Sequence, residues 1–237
     1  MLADDAPGYD TLDASGQAYA RMLFFSLWPL GGGFSSYADG FASLRQQRAF
    51  RSELTQVLTY NLEHTDHYPI PLLGEHSGVP LAIHASYSRE EILPALGQAE
   101  LGGFLPGNFR EGVKWCEGIQ TDALLITLEK DDKDFSPQTR YKDFAMSPDR
   151  FHWESQNQTS ASSPTGQRYQ QHKARGSHVL LFVRRYKKTD IGGPQPWMLL
   201  GPAEYESHEG SKPMGIVWRL QHELPADVWT YSAIAAG

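Results

Sequence analysis

The chain has 237 residues, a net charge of −7 and a single cysteine, Cys116. This length suits one large domain or a domain with a smaller helical addition, and a hydrophobic content of 40% can bury a core. One cysteine excludes a disulfide within the chain and a zinc site built from cysteines.

No segment resembles a membrane anchor. The longest apolar run, Met22–Leu30, is well short of the ~20 residues that span a bilayer. The start of the chain, Met1–Asp13, is acidic, whereas a signal peptide begins with positive charge. We therefore expect a soluble, cytoplasmic protein with no membrane partner.

The first third of the chain is predicted to be helical. Gln17–Leu27 predicts a helix that stops before Pro29, and apolar residues at helical spacing in Ser36–His64 predict one or two more. The prolines and glycines of Tyr68–Gly78 indicate a connector. We therefore divide the chain into a helical N-terminal segment or connector, residues 1–75, and a second domain, residues 76–237.

The second domain mixes strands with short helices. Ser88 and Glu91 fit a capping box for a helix that reaches about Leu96, and Gln167–Ala174 predicts a helical turn. Short apolar or alternating runs predict the strands Leu81–Ala85, Val113–Glu117, Ala123–Glu129, Arg140–Phe144, Phe151–Ser155, Val179–Tyr186, Trp197–Leu200, Ala203–Ser207 and Ile216–Gln221. The predicted fold class is α+β, with a strongly curved sheet or partial β-barrel.

Positive charge is concentrated in one segment of this acidic chain. Residues 140–188 hold ten Lys and Arg against three Asp and Glu, a net charge of +7. Clustered positive charge is typical of phosphate binding, although a solvated surface of ordinary Lys and Arg would look the same. The candidate phosphate-binding residues are Arg168, Lys173, Arg175, Arg184, Arg185 and Lys187. Arg184 and Arg185 would point to opposite sides of a regular strand, so we expect one of them to face DNA.

The middle of that segment has the composition of a nucleobase pocket. A base needs aromatic plates for its faces and short polar side chains for its edge, as in proteins that take a base out of the stack. The candidate pocket residues are Tyr141, Asp143, Phe144, Trp153, Ser155, Gln156 and Asn157. The rings of Tyr141, Phe144 and Trp153 would stack, and Asp143, Gln156 and Asn157 would read the base edge. The alternative is an ordinary strand with Phe151 and Trp153 in the core, followed by a polar loop.

Two other interpretations stay open. Asp143 and Glu154 could belong to a metal-dependent nuclease, but Gln156 stands where such a site needs a lysine. The domain could also be a protein-interaction module of a helicase or nuclease complex. No GxxxxGK[ST], GxGxxG or nucleophile-elbow pattern is present, and we predict no catalytic residues, metal or cofactor. Lys212 and His208 could contact a phosphate, although a surface turn is the simpler interpretation of that stretch.

Several segments together resemble a known family. They are Ile83–Gly97, Arg110–Trp115, Asp122–Lys130, Phe135–Ser147, Phe151–Ser160, Leu180–Lys187 and Leu200–Leu220. In this order they resemble the C-terminal domain of unknown function of proteins that fuse a phospholipase-D-type nuclease to a superfamily 2 helicase. The resemblance covers about Leu81 to Pro225, and its most specific parts are FHWESQN and SHEGSKPM.

The resemblance implies a fold and a function. Some members of the family are type IV, modification-dependent restriction enzymes that act in phage defence. Their C-terminal domain is similar to the SET- and RING-associated domain, a curved β-barrel of the PUA-like group that flips modified cytosine. By this resemblance the chain would be a DNA-binding domain, not an enzyme by itself. It would recognise 5-methylcytosine or 5-hydroxymethylcytosine in duplex DNA, with fused or associated helicase and nuclease domains as partners.

Overall fold

The computed structural model describes residues 1–129 and 143–234. Contacts divide the chain into two compact units, one from Met1 to Arg110 and one that begins at Glu111. In the described residues no helix is long and apolar enough to cross a membrane.

The first unit is mainly helical, as the apolar spacing predicts. Its helices are α1 (Ala14–Leu27), α2 (Tyr37–Gln46), α3 (Arg48–Glu63) and α4 (Arg89–Ala95), and its short strands are β1 (Ile70–Pro71), β2 (Ala82–Ile83) and β3 (Ser86–Tyr87). β1 and β2 pair antiparallel. Phe24, Phe25 and Phe41 are buried at the centre of this unit. The predicted capping box is present, because the Glu91 carboxylate accepts from the backbone N–H of Ser88 at 2.7 Å.

The second unit is built on a large sheet. Its strands are β4 (Val113–Cys116), β5 (Thr121–Thr127), β6 (Phe144–Ser147), β7 (Arg150–Glu154), β8 (His178–Arg184), β9 (Trp197–Glu209) and β10 (Gly215–Leu220). They lie in the order β4-β5-β8-β9-β10-β7-β6. β5 and β8 are parallel, and the other neighbours in this order are antiparallel. The helices of the unit are α5 (Pro164–Gln170) and α6 (Ala226–Ile234).

The sheet curves around one core. In a flat sheet, β5 and β7 would lie about 19 Å apart, because four strand spacings of ~4.8 Å separate them. Yet Ile126 of β5 and Trp153 of β7 belong to one core cluster and line the same cavity. The strands between them must therefore bend. The predicted α+β class is confirmed. Among the described strands no closed barrel is detected, with β4 and β6 at the two edges.

Two predicted strands are a single one. Trp197–Leu200 and Ala203–Ser207 both belong to β9, which runs through Gly201 and Pro202 without a break. Turn residues predict an interruption there, but β9 continues with a bulge, in which Leu200 is the extra residue opposite Leu181 and Phe182 of β8. The separation into two strands is therefore wrong.

Other boundaries differ less. The strand that pairs with β7 is Phe144–Ser147, which begins four residues after the start of the predicted Arg140–Phe144 strand. Residues 140–142 of that prediction lie outside the described part. Cys116 ends β4 and is fully buried. Burial raises the pKa of its thiol to about 12.

Candidate binding pocket

A cavity of about 440 Å³ lies between the two arms of the curved sheet. One wall comes from the start of β4, from β5 and from the end of β8. The other comes from the end of β7, from the two residues after it, and from Asp143, which precedes β6. The lining residues are Gly112, Val113, Leu125, Ile126, Thr127, Glu129, Asp143, Trp153, Glu154, Ser155, Gln156, Arg184 and Lys187. Its volume is that of small-molecule sites in general.

Four of the predicted pocket residues meet in this cavity: Asp143, Trp153, Ser155 and Gln156. Two others do not line it. Phe144 stacks on His152 of the neighbouring strand, with ring centroids 4.9 Å apart. Asn157 is exposed in the following loop. Tyr141 lies outside the described residues.

Trp153 belongs to both the core and the pocket wall. Strand alternation buries Phe151 and Trp153, as the ordinary-strand interpretation predicts, and Trp153 is 5% exposed. Its ring packs edge-on against Tyr169, with centroids 5.7 Å apart. The part of the ring that reaches the cavity is therefore held rigidly from behind.

The Asp143 carboxylate is fixed by the opposite strand. It is 5% exposed, and its Oδ1 accepts a hydrogen bond from the backbone N–H of Glu154 at 2.8 Å. This bond orients the carboxylate at the cavity wall.

Ser155 has a structural role. Its Oγ accepts from the backbone N–H of Met214 at 2.8 Å, and its own N–H donates to the Met214 carbonyl at 2.9 Å. Because the hydroxyl already accepts a hydrogen bond from the backbone, Ser155 contributes more to the wall of the cavity than to recognition of a base.

The loop after β7 is joined to the turn between β9 and β10. The backbone N–H of Lys212 donates to the Thr159 carbonyl at 3.1 Å, and that of Ala161 donates to Ser211 Oγ at 3.2 Å. The two most specific parts of the resemblance, FHWESQN and SHEGSKPM, therefore meet beside the pocket. Spacing along the chain gives no sign of this contact.

Among the predicted phosphate-binding residues, Arg184 lines the pocket, and several contacts hold its side chain there. Its Nε donates to Thr127 Oγ1 at 2.9 Å and its Nη1 to the Gln195 carbonyl at 3.0 Å. The guanidinium also lies over the Trp197 ring, 3.6 Å from the centroid. These contacts hold the charge in one place. Lys187 lines the same cavity.

The other predicted cations lie elsewhere. Arg168 is engaged with Asp122, and Lys173 Nζ lies 2.6 Å from Glu204 Oε2. Arg175 bonds to the side chain of Gln171. Arg185 Nε donates to Glu129 at 2.6 Å, a hydrogen bond that raises the pKa of the guanidinium. Of the two neighbouring arginines, Arg184 lines the pocket and Arg185 does not.

The Arg168 contact is an internal ion pair. Nε and Nη2 of Arg168 donate to the two oxygens of Asp122 at 2.6 and 2.8 Å, and the guanidinium lies 4.2 Å from the centroid of Trp115. The Asp122 side chain is 1% exposed. Burial raises the pKa of this carboxyl, and the hydrogen bonds and charge of Arg168 oppose that rise. Arg168 therefore ties α5 to β5, which is a correction to its predicted role on the phosphate-binding surface.

The acidic side of the pocket was only partly predicted. Glu129 and Glu154 line it with Asp143, and Glu129 had no role in the sequence-based site. In the described part of the chain these acids form no group of three that could hold a metal ion.

The fold and the pocket define a mixed α+β domain with an open cavity, lined by charged, apolar and aromatic side chains, between the two arms of a curved sheet. The chain belongs to the family described as a domain of unknown function (DUF3427), whose model matches residues 81–232. A search of curated proteins finds no match.

Proposed function

We propose that the chain is a DNA-binding domain that accommodates a flipped, modified cytosine in the cavity between the arms of its sheet. The modification would be 5-methylcytosine or 5-hydroxymethylcytosine in duplex DNA. The domain would be the target-recognition part of a modification-dependent restriction system, with helicase and nuclease domains as fused or associated partners.

The observation that carries the proposal is the convergence of separate predicted residues on one cavity. Asp143, Trp153 and Gln156 come from a segment whose composition suits a base, and they line the cavity together with Arg184. An aromatic wall, a fixed carboxylate and an amide are the groups that a base face and edge require.

The charges of the lining favour a neutral base over a phosphate inside the pocket. Three carboxylates, those of Glu129, Asp143 and Glu154, line the cavity with two cations, Arg184 and Lys187, and Glu129 is paired with Arg185, which does not line it. A phosphate among these carboxylates would be repelled, whereas the exocyclic amine of cytosine can donate to Asp143. The two cations would then attract the phosphates beside the extruded base.

The curved sheet and the family membership support the same proposal. A sheet that bends around a pocket is what a PUA-like barrel requires, and the family match covers the segments that carry the resemblance to such domains. The barrel itself is part of the proposal.

The test is a mobility shift with three matched duplexes that carry cytosine, 5-methylcytosine or 5-hydroxymethylcytosine, at two salt concentrations. We expect tighter binding of a modified duplex and a loss of affinity for all three at higher salt. Equal affinity for the three duplexes would refute base recognition. No shift with any duplex would refute DNA binding, and metal-dependent cleavage would favour the nuclease interpretation.

Two neighbouring residues offer a matched pair of variants. Gln156→Ala removes a side chain from the pocket, and Asn157→Ala removes a similar exposed side chain that does not line it. We expect Gln156→Ala to reduce the preference for the modified base by about 1–3 kcal/mol and Asn157→Ala to preserve it. Lys187→Ala should weaken all duplexes alike. An equal preference for the modified base in Gln156→Ala and Asn157→Ala would contradict the assignment of the pocket.

A further inference from the structure

Lys212 differs from five other cations of the second unit. Arg150, Arg168, Lys173, Arg185 and Arg219 each form an ion pair with an acidic side chain. The Lys212 side chain is exposed, and in the described part of the chain its ammonium group has no hydrogen-bond or ion-pair partner. Its charge is therefore available to a ligand.

The backbone at Lys212 is strained. Its φ is +64°, in the left-handed region that residues with a Cβ rarely adopt. Glycine adopts this conformation without a steric cost. The fold is therefore less stable with lysine at this position of the turn than it would be with glycine. Such strain persists where the surroundings hold it, and it is concentrated at functional sites.

The surroundings hold Lys212 from both sides. Its own N–H donates to the Thr159 carbonyl, Ser211 accepts from Ala161, and Met214 exchanges hydrogen bonds with Ser155. All of these partners lie in the segment that includes Gln156, a residue of the pocket wall. The turn is therefore fixed beside the pocket, with the lysine side chain directed into solvent.

We propose that Lys212 binds a DNA backbone phosphate next to the nucleotide that enters the pocket. This inference rests on the proposed function and adds a contact that the basic segment 140–188 does not contain. A phosphate is the anion that a duplex presents at regular spacing around an extruded base, and a fixed lysine binds it as a point charge. Because phosphates carry no sequence information, the contact would serve modified and unmodified duplexes alike.

The experiment measures duplex affinity by fluorescence anisotropy and thermal stability for four variants. Lys212→Gly removes the charge and the strain together, Lys212→Gln removes the charge alone, and Lys212→Arg keeps the charge. Lys188→Gln is the matched control, since Lys188 is a second exposed lysine of the unit.

We expect Lys212→Gly to melt about 2 °C higher than the wild type, because the left-handed conformation costs glycine little. The same variant and Lys212→Gln should bind every duplex about three- to tenfold more weakly, with a salt slope smaller by about 1. Lys212→Arg and Lys188→Gln should bind like the wild type. A gain in stability together with a loss of binding would separate the ligand contact from a structural role.

The outcomes that overturn the inference differ from those that overturn the proposed function. If the wild type binds duplex DNA and Lys212→Gln binds it equally well, the phosphate contact is wrong and the proposed function stands. An equal loss in Lys188→Gln would mean that overall charge, not position, matters, and would also overturn it. If the wild type binds no duplex, both fail together.

Discussion

The ion pair between Arg168 and Asp122 provides a quantitative test of how the second unit is held together. Arg168→Ala would leave the Asp122 carboxylate, with a side chain 1% exposed, without its two hydrogen bonds and its counter-charge. Breaking a buried pair in this way costs about 3–5 kcal/mol, and the lost contact with Trp115 adds about 0.5–1 kcal/mol. We expect a loss of about 4 kcal/mol in the free energy of unfolding at pH 7.5.

The loss should depend on pH. Removing Arg168 takes away the groups that oppose the rise in the pKa of Asp122, so this pKa rises further in the folded variant. An acid whose pKa is higher in the folded than in the unfolded state destabilises the fold as pH rises through that window. The cost of Arg168→Ala should therefore be greatest at neutral pH and shrink as pH falls toward 4.

Urea unfolding followed by tryptophan fluorescence, at pH 7.5 and 5, measures these costs. The double variant Asp122→Val, Arg168→Met is the control, because an apolar pair of similar volume removes both charges. It should recover most of the stability that Arg168→Ala loses. A cost below about 1 kcal/mol for Arg168→Ala, or a cost that does not shrink at lower pH, would refute the reasoning.

Gly166→Ala should lower the free energy of unfolding by about 2–3 kcal/mol in the same assay, because a Cβ there would lie 2.1 Å from the Ser160 carbonyl oxygen; an unchanged midpoint would contradict the close approach. His172 is buried and accepts from the Tyr205 N–H through Nε2, so the proton lies on Nδ1 and faces the Ser177 carbonyl. Burial lowers its pKa, so the fold should lose stability as pH falls below about 6.5, and His172→Asn should reduce that dependence; equal pH profiles of the two proteins would rule this out.

Local patterns predicted much of the fold. The spacing of apolar residues gave α1 and the α2–α3 pair, and the Ser88–Glu91 capping box gave α4. These features depend on neighbours within one or two turns. α6 was missed, because its β-branched and aromatic residues do not follow a helical pattern and its packing against β6 decides the conformation.

The site was harder to predict than the elements. Asp143, Trp153 and Gln156 were found because they lie close together in one segment of unusual composition. Glu129 and the apolar wall of β5 were missed, because they approach that segment only when the sheet bends. Arg168 was assigned to the surface, since its charge is visible in the sequence but its pairing with Asp122, 46 residues away, is not.

The burial of Cys116 has a practical consequence for experiments on this protein. It is the one thiol of the chain, and a pKa of about 12 keeps it in the unreactive protonated form while the fold is intact. A cysteine introduced at an exposed position could therefore carry a fluorophore without prior removal of the native residue. The rate at which the native thiol reacts with a colorimetric reagent would then report how often the edge of the sheet at β4 opens.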